Sequence, residues 1–303
     1  MSARTTGVTV QVPAKVNVQL AVGAPRPDGF HHLANVFLAV SLFDEVTATP
    51  ADTLTVTCEG PDADQVPLDR TNLAARAAES LAARHGIEPA VHLHIAKNIP
   101  VAGGMAGGSA DGAGALLACD TLWGLDTPRA ELLDICAELG SDVPFSLVGG
   151  AALGTGRGEL LTPVAAGAFH WVFAVADGGL STPAVFREFD RLTADVEVPE
   201  PEASPALLAA LASGDAQALA AELTNDLQAA ALSLRPSLAD TLAAGTGAGA
   251  LAALVSGSGP TTAFLVADGE TAAKVAAALE ASGTCRATRV ASSPAPGATV
   301  LPS

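Results

Sequence analysis

The stretch "VAGGMAGGSADGAGALL" at residues 101–117 constrains the fold more than any other part of the chain. It puts six glycines between Gly103 and Gly114, just where an apolar helical pattern begins. Glycine is a poor helix former and loses more backbone freedom on folding than other residues. A helix that opens on glycines therefore needs a reason. The preceding "AVHLHIA" alternates like a strand, with Val91, Leu93 and Ile95 on one face and His92 and His94 on the other. A strand, a glycine loop and a helix in that order form a phosphate-binding unit. The loop N–H groups and the first helical turn converge on one point, and the helix dipole favours negative charge there. Glycines let the backbone approach an anion with no Cβ in the way. Gly112 and Gly114 lie deeper in the helix and suit close packing against a sheet. Tight packing alone leaves too many glycines unexplained between Gly103 and Gly108.

Two familiar glycine motifs fail. Gly103 and Gly108 have the spacing of a P-loop, but Ser109 stands where its lysine belongs. The dinucleotide fingerprint fails as well, because Gly103 and Gly104 are adjacent and no following strand ends in an acid.

The charge sharpens the point. The 303-residue chain carries a formal net charge of −17, which argues against nucleic acid and anionic membrane as partners. Only Lys15, Lys97 and Lys274 are lysines, and two of them stand in unusual stretches. An anion site here has to be local, made by backbone N–H groups and a few side chains. The four cysteines show no metal-ligand or redox spacing. Cys119 and Cys136 lie in apolar helical patterns and read as buried thiols. The opening "MSARTTGVTVQV" lacks the apolar run of a secretory leader, and no window reaches the roughly twenty apolar residues of a membrane span. A cytoplasmic protein is the expectation.

Strand patterns fall at 8–12, 16–22 and 53–58, and "NVFLAVSLFDEVTAT" reads as a further strand pair. Residues 72–85 form a helix with Leu73, Ala77 and Leu81 inward, Thr71 or Asn72 as cap and Gly86 as its end. "RAELLDICAELG" is another helix, and "SDVPFSLVGGAALGTGRGE" reads as loop, strand and turn. Beyond 160 the pattern restarts. "HWVFAVAD" is a buried strand, and "STPAVFREFDRL" is a helix with a Ser181/Thr182 cap and an early proline. A Pro-rich acidic loop at 190–205 precedes helices at 205–213 and 215–232. Two strands flank the turn "SGSGP", then come a helix and a last strand, "CRATRVAS". The tail "SPAPGATVLPS" reads as disordered. Strands and helices mix without a steady βαβ rhythm, so the fold class is α+β in two lobes, 1–160 and 161–303.

Three further stretches matter only together. "PAKVNVQL" puts Lys15 and Asn17 on one strand face; alone, Lys15 would read as an edge-strand lysine. "GSDVP" places Asp142 at a helix exit, and alone it would read as a turn aspartate. "VSGSGP" alone would read as an ordinary hairpin. With "GGMAGGSADGAGAL" between them, in this order, they resemble the three signature motifs of the GHMP small-molecule kinases. "PRPDGFHHL", "TNLAARAAESL", "LGSDVPFSLVGGAALGTGRGE" and "NDLQAAAL" extend the resemblance over about residues 10–265. They point to the branch that phosphorylates the 2-hydroxyl of 4-diphosphocytidyl-2-C-methyl-D-erythritol in the non-mevalonate isoprenoid pathway.

The resemblance implies a two-lobed fold. The N-terminal lobe would be ribosomal-protein-S5-domain-2-like and the C-terminal lobe ferredoxin-like, with the active site in the cleft between them. It implies ATP and Mg²⁺ as cofactors, a small-molecule partner, and a monomer or homodimer. ATP is expected on Val101, Ala102, Gly103, Gly104, Met105, Ala106, Gly107, Gly108, Ser109, Ala110 and Asp111, with Asn72 and Lys97 near the adenosine half. For Asn72 a plain helix cap is an equally good reading. Lys15 and Asp142 carry over as the catalytic pair. Phe30 and His31 map to cytidine recognition, although the family usually has tyrosine where Phe30 stands. Asn17 and Thr182 map to the acceptor side, with capping the stronger reading for the 181–182 pair. Ser109 is the candidate metal ligand, because Ala110 and Asp111 stand where a second small polar residue is common. Two other readings stay open: another kinase of the family, of homoserine or mevalonate type, and a nucleotide-binding regulator without catalysis. "DGFHH" argues against the first, and Lys15 with Asp142 against the second.

Overall fold

The structure, a computed structural model, describes residues 7–302; residues 1–6, part of the stretch read above for a leader, and Ser303 lie outside it. The chain opens with two long strands, β1 (Val8–Pro25) and β2 (His31–Pro50), joined by the loop at 26–30. The strand patterns read as separate pieces are continuous. They are broken only by irregular register at Pro13/Ala14, Asn17/Gln19 and Val22/Pro25. Such bulges bend a strand and re-aim side chains without ending it. Two of them flank Lys15 and Asn17. Next come β3 (Thr55–Glu59), α1 (Leu73–His85), β4 (Val91–Ala96), α2 (Gly107–Trp123) and α3 (Arg129–Leu139). The segment read as loop after Gly140 contains a short helix, α4 (Val143–Val148), with Pro144 in its first turn. Proline is tolerated there because the first N–H groups have no helical partner. Then β5 (Ala151–Thr155) and β6 (Leu160–Pro163) form a hairpin.

The second half begins with β7 (Phe169–Val175), α5 (Thr182–Leu192) and α6 (Pro205–Ser213). The helix expected over 215–232 is divided into α7 (Ala216–Glu222) and α8 (Gln228–Leu234) by β8 (Thr224–Asn225), which pairs in parallel with Gln19–Leu20 of β1. Then α9 (Leu238–Gly247), β9 (Ala252–Val255), β10 (Thr262–Val266), α10 (Gly269–Ser282) and β11 (Ala287–Ser293) follow. The tail read as disordered instead forms β12 (Thr299–Val300), paired with Val10–Gln11 of β1. It is held by backbone bonds from Gly150 to Ala295, Ala295 to Ala39 and Ala298 to Ser146.

The first sheet has the order β12-β1-β2-β4-β3, with β5 on β2, β6 on β5 and β8 on β1. The lobes are thus not cut cleanly at one point in the chain, since β8 and β12 return to the first sheet. The second sheet is antiparallel, in the order β11-β7-β10-β9. With α9 and α10 packed side by side on one face of it, this is the ferredoxin-like arrangement. Alternation divides β7: Trp171 and Phe173 join the main core shared with β1, whereas Val172 and Ala174 pack under α10. In the first lobe Val12 and Val46 lie beneath α2. A Cβ on Gly114 would come within 2.7 Å and 2.9 Å of their methyl groups. Gly114 is therefore the close-packing glycine expected; a Cβ on Gly112 would meet Leu73 of α1 less tightly, at 3.3 Å.

Candidate active site

Between the lobes runs a cleft of about 680 Å³. Its floor is the glycine loop. Ala102, Gly104 and Ala106 all have positive φ, at 52°, 76° and 63°. Alternating left-handed residues turn successive N–H groups toward one side and make an anion-binding nest. Alanine adopts this region at a cost, so the surrounding structure must impose it. Helix α2 starts directly after Ala106 with no side-chain cap. The N–H groups of its first turn are left for a ligand. Gly104 is the glycine for which close approach decides: a Cβ there would sit 2.1 Å from the Ser256 carbonyl.

Lys15 reaches the loop from β1. Its Nζ donates to the Gly104 carbonyl at 2.8 Å and to Asn17 Oδ1 at 2.6 Å, and lies 3.9 Å from Asp142 Oδ2. The ammonium is buried, and burial lowers its pKa from the ordinary lysine value while Asp142 pulls it back up. Asp142 stands at the start of α4, yet its carboxylate caps nothing; only its carbonyl is used, by Ser146. The carboxylate is one-third exposed and faces the cleft. Asn17 is a brace here: it accepts from Lys15 and donates to Asn35 Oδ1 at 2.6 Å. The "SGSGP" turn closes this end. Asn225 donates to Val255 and Gly257 carbonyls, both at 2.8 Å, and Ser256 Oγ donates to the Gly104 carbonyl.

At the other end His31 pairs with Asp190 of α5, Nε2 to Oδ1 at 2.8 Å, and its ring lies 5.0 Å from that of Phe186. Phe30 is 49% exposed at the cleft mouth. Thr182 Oγ1 is 2.9 Å from Ser258 Oγ, and Ser181, at the cap position of α5, makes no side-chain cap. So Lys15, Asn17, Phe30, His31, Asp142, Thr182 and the loop from Ala102 to Ser109 meet at one cleft, except for Met105.

Other expected contacts point elsewhere. Met105 and Ala110 are buried in the main core, and Val101 stands at the loop entry outside the cleft lining. Asn72 spends its side chain on α1, accepting from Ala74 N–H and donating to the Pro67 carbonyl. Lys97 is buried between two carboxylates, at 2.5 Å from Asp44 and 2.8 Å from Asp111. Burial opposes its charge, but the two carboxylates outweigh that and raise its pKa. Asp111 is raised by burial, with Asp44 adding to the effect. Asp44 also accepts the N–H groups of Asn98 and Ile99. The triad therefore ties β2, the start of the glycine loop and the first turns of α2 together from below. A Cβ on Gly107 would lie 3.2 Å from Lys97 Nζ.

The residues not anticipated from sequence are Asn35, Phe186 and Asp190, together with Arg157, whose motif "GTGRGE" was quoted without a role for it. Each gains its place through a partner distant in the chain. Asn225, Ser256 and Gly257 lay within quoted motifs, "NDLQ" and "VSGSGP", that carried the signal without assigning the roles.

The chain matches the GHMP kinases N terminal domain over residues 72–150 and the GHMP kinases C terminal domain over 207–285. It is 79% identical to a 4-diphosphocytidyl-2-C-methyl-D-erythritol kinase of Streptomyces avermitilis, over 97% of this chain and 99% of that one. It is 75% identical to its namesake in Streptomyces coelicolor, with the same coverage. A crystal structure of 4-(cytidine 5'-diphospho)-2C-methyl-D-erythritol kinase superposes with a TM-score of 0.78 at 30% identity, covering 94% of this chain and 99% of the other.

Proposed function

This chain belongs to the GHMP kinases and, within them, to the 4-diphosphocytidyl-2-C-methyl-D-erythritol kinases, and from that premise we propose how its own residues carry out the reaction. The enzyme transfers the γ-phosphoryl group of ATP to the 2-hydroxyl of the cytidine diphosphate acceptor. A P–O bond forms between that hydroxyl oxygen and the γ-phosphorus. The bond from the γ-phosphorus to the β,γ-bridging oxygen breaks, and ADP leaves.

The observation that carries this reading is the Lys15–Asp142 pair at 3.9 Å, with Lys15 also bonded to the Gly104 carbonyl of the phosphate loop. The two catalytic groups and the nest thus share one corner of the cleft. The Asp142 carboxylate takes the proton of the attacking hydroxyl. Lys15 faces the oxygen as its charge develops. Asn17 and Asn35 hold Lys15 in place. The loop N–H groups and the open end of α2 bind and orient the phosphates, so positioning and charge neutralisation supply most of the remaining catalysis. Bound Mg²⁺ would supply further neutralisation of the phosphate charge. Ser109 lines the cleft at the end of the glycine loop and would be the residue to hold it. Magnesium commonly keeps waters and phosphate oxygens as most of its ligands. Phe30 and His31 take the cytosine end, and Thr182 the acceptor side opposite the loop. One chain supplies every residue named, so a monomer suffices for catalysis. Among the described residues no helix is long and apolar enough to cross a membrane, and we place the enzyme in the cytoplasm.

The test is ADP release with 4-diphosphocytidyl-2-C-methyl-D-erythritol, set against mevalonate and homoserine. Turnover is expected with the first alone and only with Mg²⁺ present. Asp142→Ala is expected to lower kcat by about 10²–10⁴-fold or more, as for loss of a positioned general base. Near-normal turnover in that variant would refute the mechanism.

A further inference from the structure

The acceptor is itself a dianion at its diphosphate, and the phosphate loop is committed to ATP. Something else must meet the acceptor's diphosphate in a chain of net charge −17. The cationic side chains lining the cleft, among the described residues, are Lys15, Arg157 and Arg187, with His31 when protonated. Lys15 is spent on Asn17, Gly104 and Asp142. His31 sits at the cytosine end, with its Nε2 already paired to Asp190. Arg187 lies on the exposed side of α5, in the opposite lobe from the catalytic pair.

Arg157 stands in the tight turn between β5 and β6. The turn is pinned to the start of β2, where Leu33 N–H donates to the Gly156 carbonyl at 2.9 Å. Its guanidinium lies over the Phe30 ring, 5.1 Å from the centroid. That is cation–π range. The Arg157 backbone N–H donates to Glu159 Oε2 at 2.7 Å, whereas its Nε is 3.6 Å from Glu159 Oε1, too far for a hydrogen bond. Glu159 thus anchors the turn and forms an ion pair with Arg157, but it takes no hydrogen bond from the guanidinium, whose N–H groups still face the cleft. On the far side of the turn, a Cβ on Gly158 would lie 3.9 Å from Ser141 Cβ, next to Asp142.

The order of groups along this wall is therefore Phe30, Arg157, Gly158, Ser141, Asp142. It runs from an aromatic ring, past a cation, to the proton acceptor. The acceptor proposed for this site has the same order: base and ribose, then diphosphate, then the polyol whose hydroxyl reacts. Arginine presents paired N–H donors that match phosphate oxygens, and stacking on Phe30 fixes the plane of the fork before the ligand arrives. We propose that Arg157 binds the diphosphate of the acceptor and is a specificity-determining residue of this enzyme, with Phe30 serving both as its platform and as the cytosine contact. The inference rests on the acceptor assigned above.

The experiment compares cytidine with cytidine 5'-diphosphate as competitive inhibitors of wild type, Arg157→Gln and Arg157→Lys, alongside KM for the acceptor and for ATP. Wild type is expected to bind the diphosphate at least tenfold more tightly than cytidine. Arg157→Gln should lose about tenfold for the diphosphate and raise the acceptor KM by a similar factor. Its cytidine affinity, its KM for ATP and its thermal midpoint should stay close to wild type. Arg157→Lys should recover part of the loss, because charge is kept and the fork is not. Equal weakening of cytidine and its diphosphate in Arg157→Gln would overturn the proposal, since Arg157 would then act only through Phe30. An unchanged diphosphate affinity would overturn it too. Wild-type protein that turns over mevalonate or homoserine but not the cytidine acceptor would refute the acceptor assignment itself, and this proposal with it.

Discussion

Lys15 holds a charge where burial argues against one. Its neighbours are two side-chain oxygens and one backbone carbonyl, which is enough to keep an ammonium but not to restore water. The sign of its pH effect follows. Burial lowers the pKa and Asp142 partly restores it. Catalysis needs the ammonium, so activity falls as pH rises through that lowered pKa. The basic limb of kcat/KM is therefore expected below the ordinary lysine range of about 10.4. Asp142→Asn removes the restoring charge, and the limb of its residual activity should move lower still. A limb at the ordinary lysine value in wild type would show that Lys15 does not titrate as the structure requires. Both residues were legible from sequence because "PAKVN" and "GSDVP" are local motifs. The brace formed by Asn35 was not, since its partner Asn17 lies on another strand, eighteen residues away.

At the scale of elements, the glycine loop is shaped from below and from above. The Lys97–Asp44–Asp111 triad fixes its base, and the "SGSGP" turn presses on Gly104. Lys97 was expected beside adenosine; a lysine before a glycine loop gives no sign in sequence of which anion it faces. Gly104→Ala is a sharp test of the upper contact. The methyl would meet the Ser256 carbonyl at 2.1 Å at a residue with φ of 76°. The turn and the loop would have to part, and KM for ATP is expected to rise tenfold or more. An alanine variant with unchanged ATP kinetics would show that this contact does not shape the nest. Long periodic elements such as α1, α2 and α10 were readable because each repeats its pattern over several turns. Helix α4 has only six residues, and β8 only two, too short for any period to register.

Over the whole molecule, the lobes share one core and exchange segments. Trp171 and Phe173 of the second sheet belong to the same buried core as Val16 and Val18 of the first. Arg286 reaches across to Asp62 with a two-pronged ion pair that holds that carboxyl below its ordinary pKa. The tail after Ser293 crosses back to brace α4, whose first residue follows Asp142. Deleting residues 294–303 removes the pairing of β12 with β1 and, besides it, at least four backbone bonds, those linking Gly150 with Ala295, Ala295 with Ala39, Ala298 with Ser146 and Leu301 with Thr9. At roughly 1 kcal/mol each, about 4 kcal/mol of stability or more should be lost. A fall in kcat should accompany it as α4 loosens. Denaturant unfolding that leaves the midpoint unchanged would refute the brace. The Pro- and Gly-rich composition of the tail suggested disorder because nothing local holds it; its partners belong to β1, β2 and α4.

The sequence by itself determined the α+β class, most strands and helices, and the glycine loop, and it singled out Lys15 and Asp142 as the pair proposed to act at the cleft. All of these are written in local spacing, hydrophobic period and short motifs, which act over a few residues. Only the tertiary structure decided which polar groups are spent and which remain available. Lys97 is consumed in a buried triad with Asp44 and Asp111, while Arg157 is brought over Phe30. Those outcomes depend on contacts between residues far apart in the chain, and folding rather than spacing sets them.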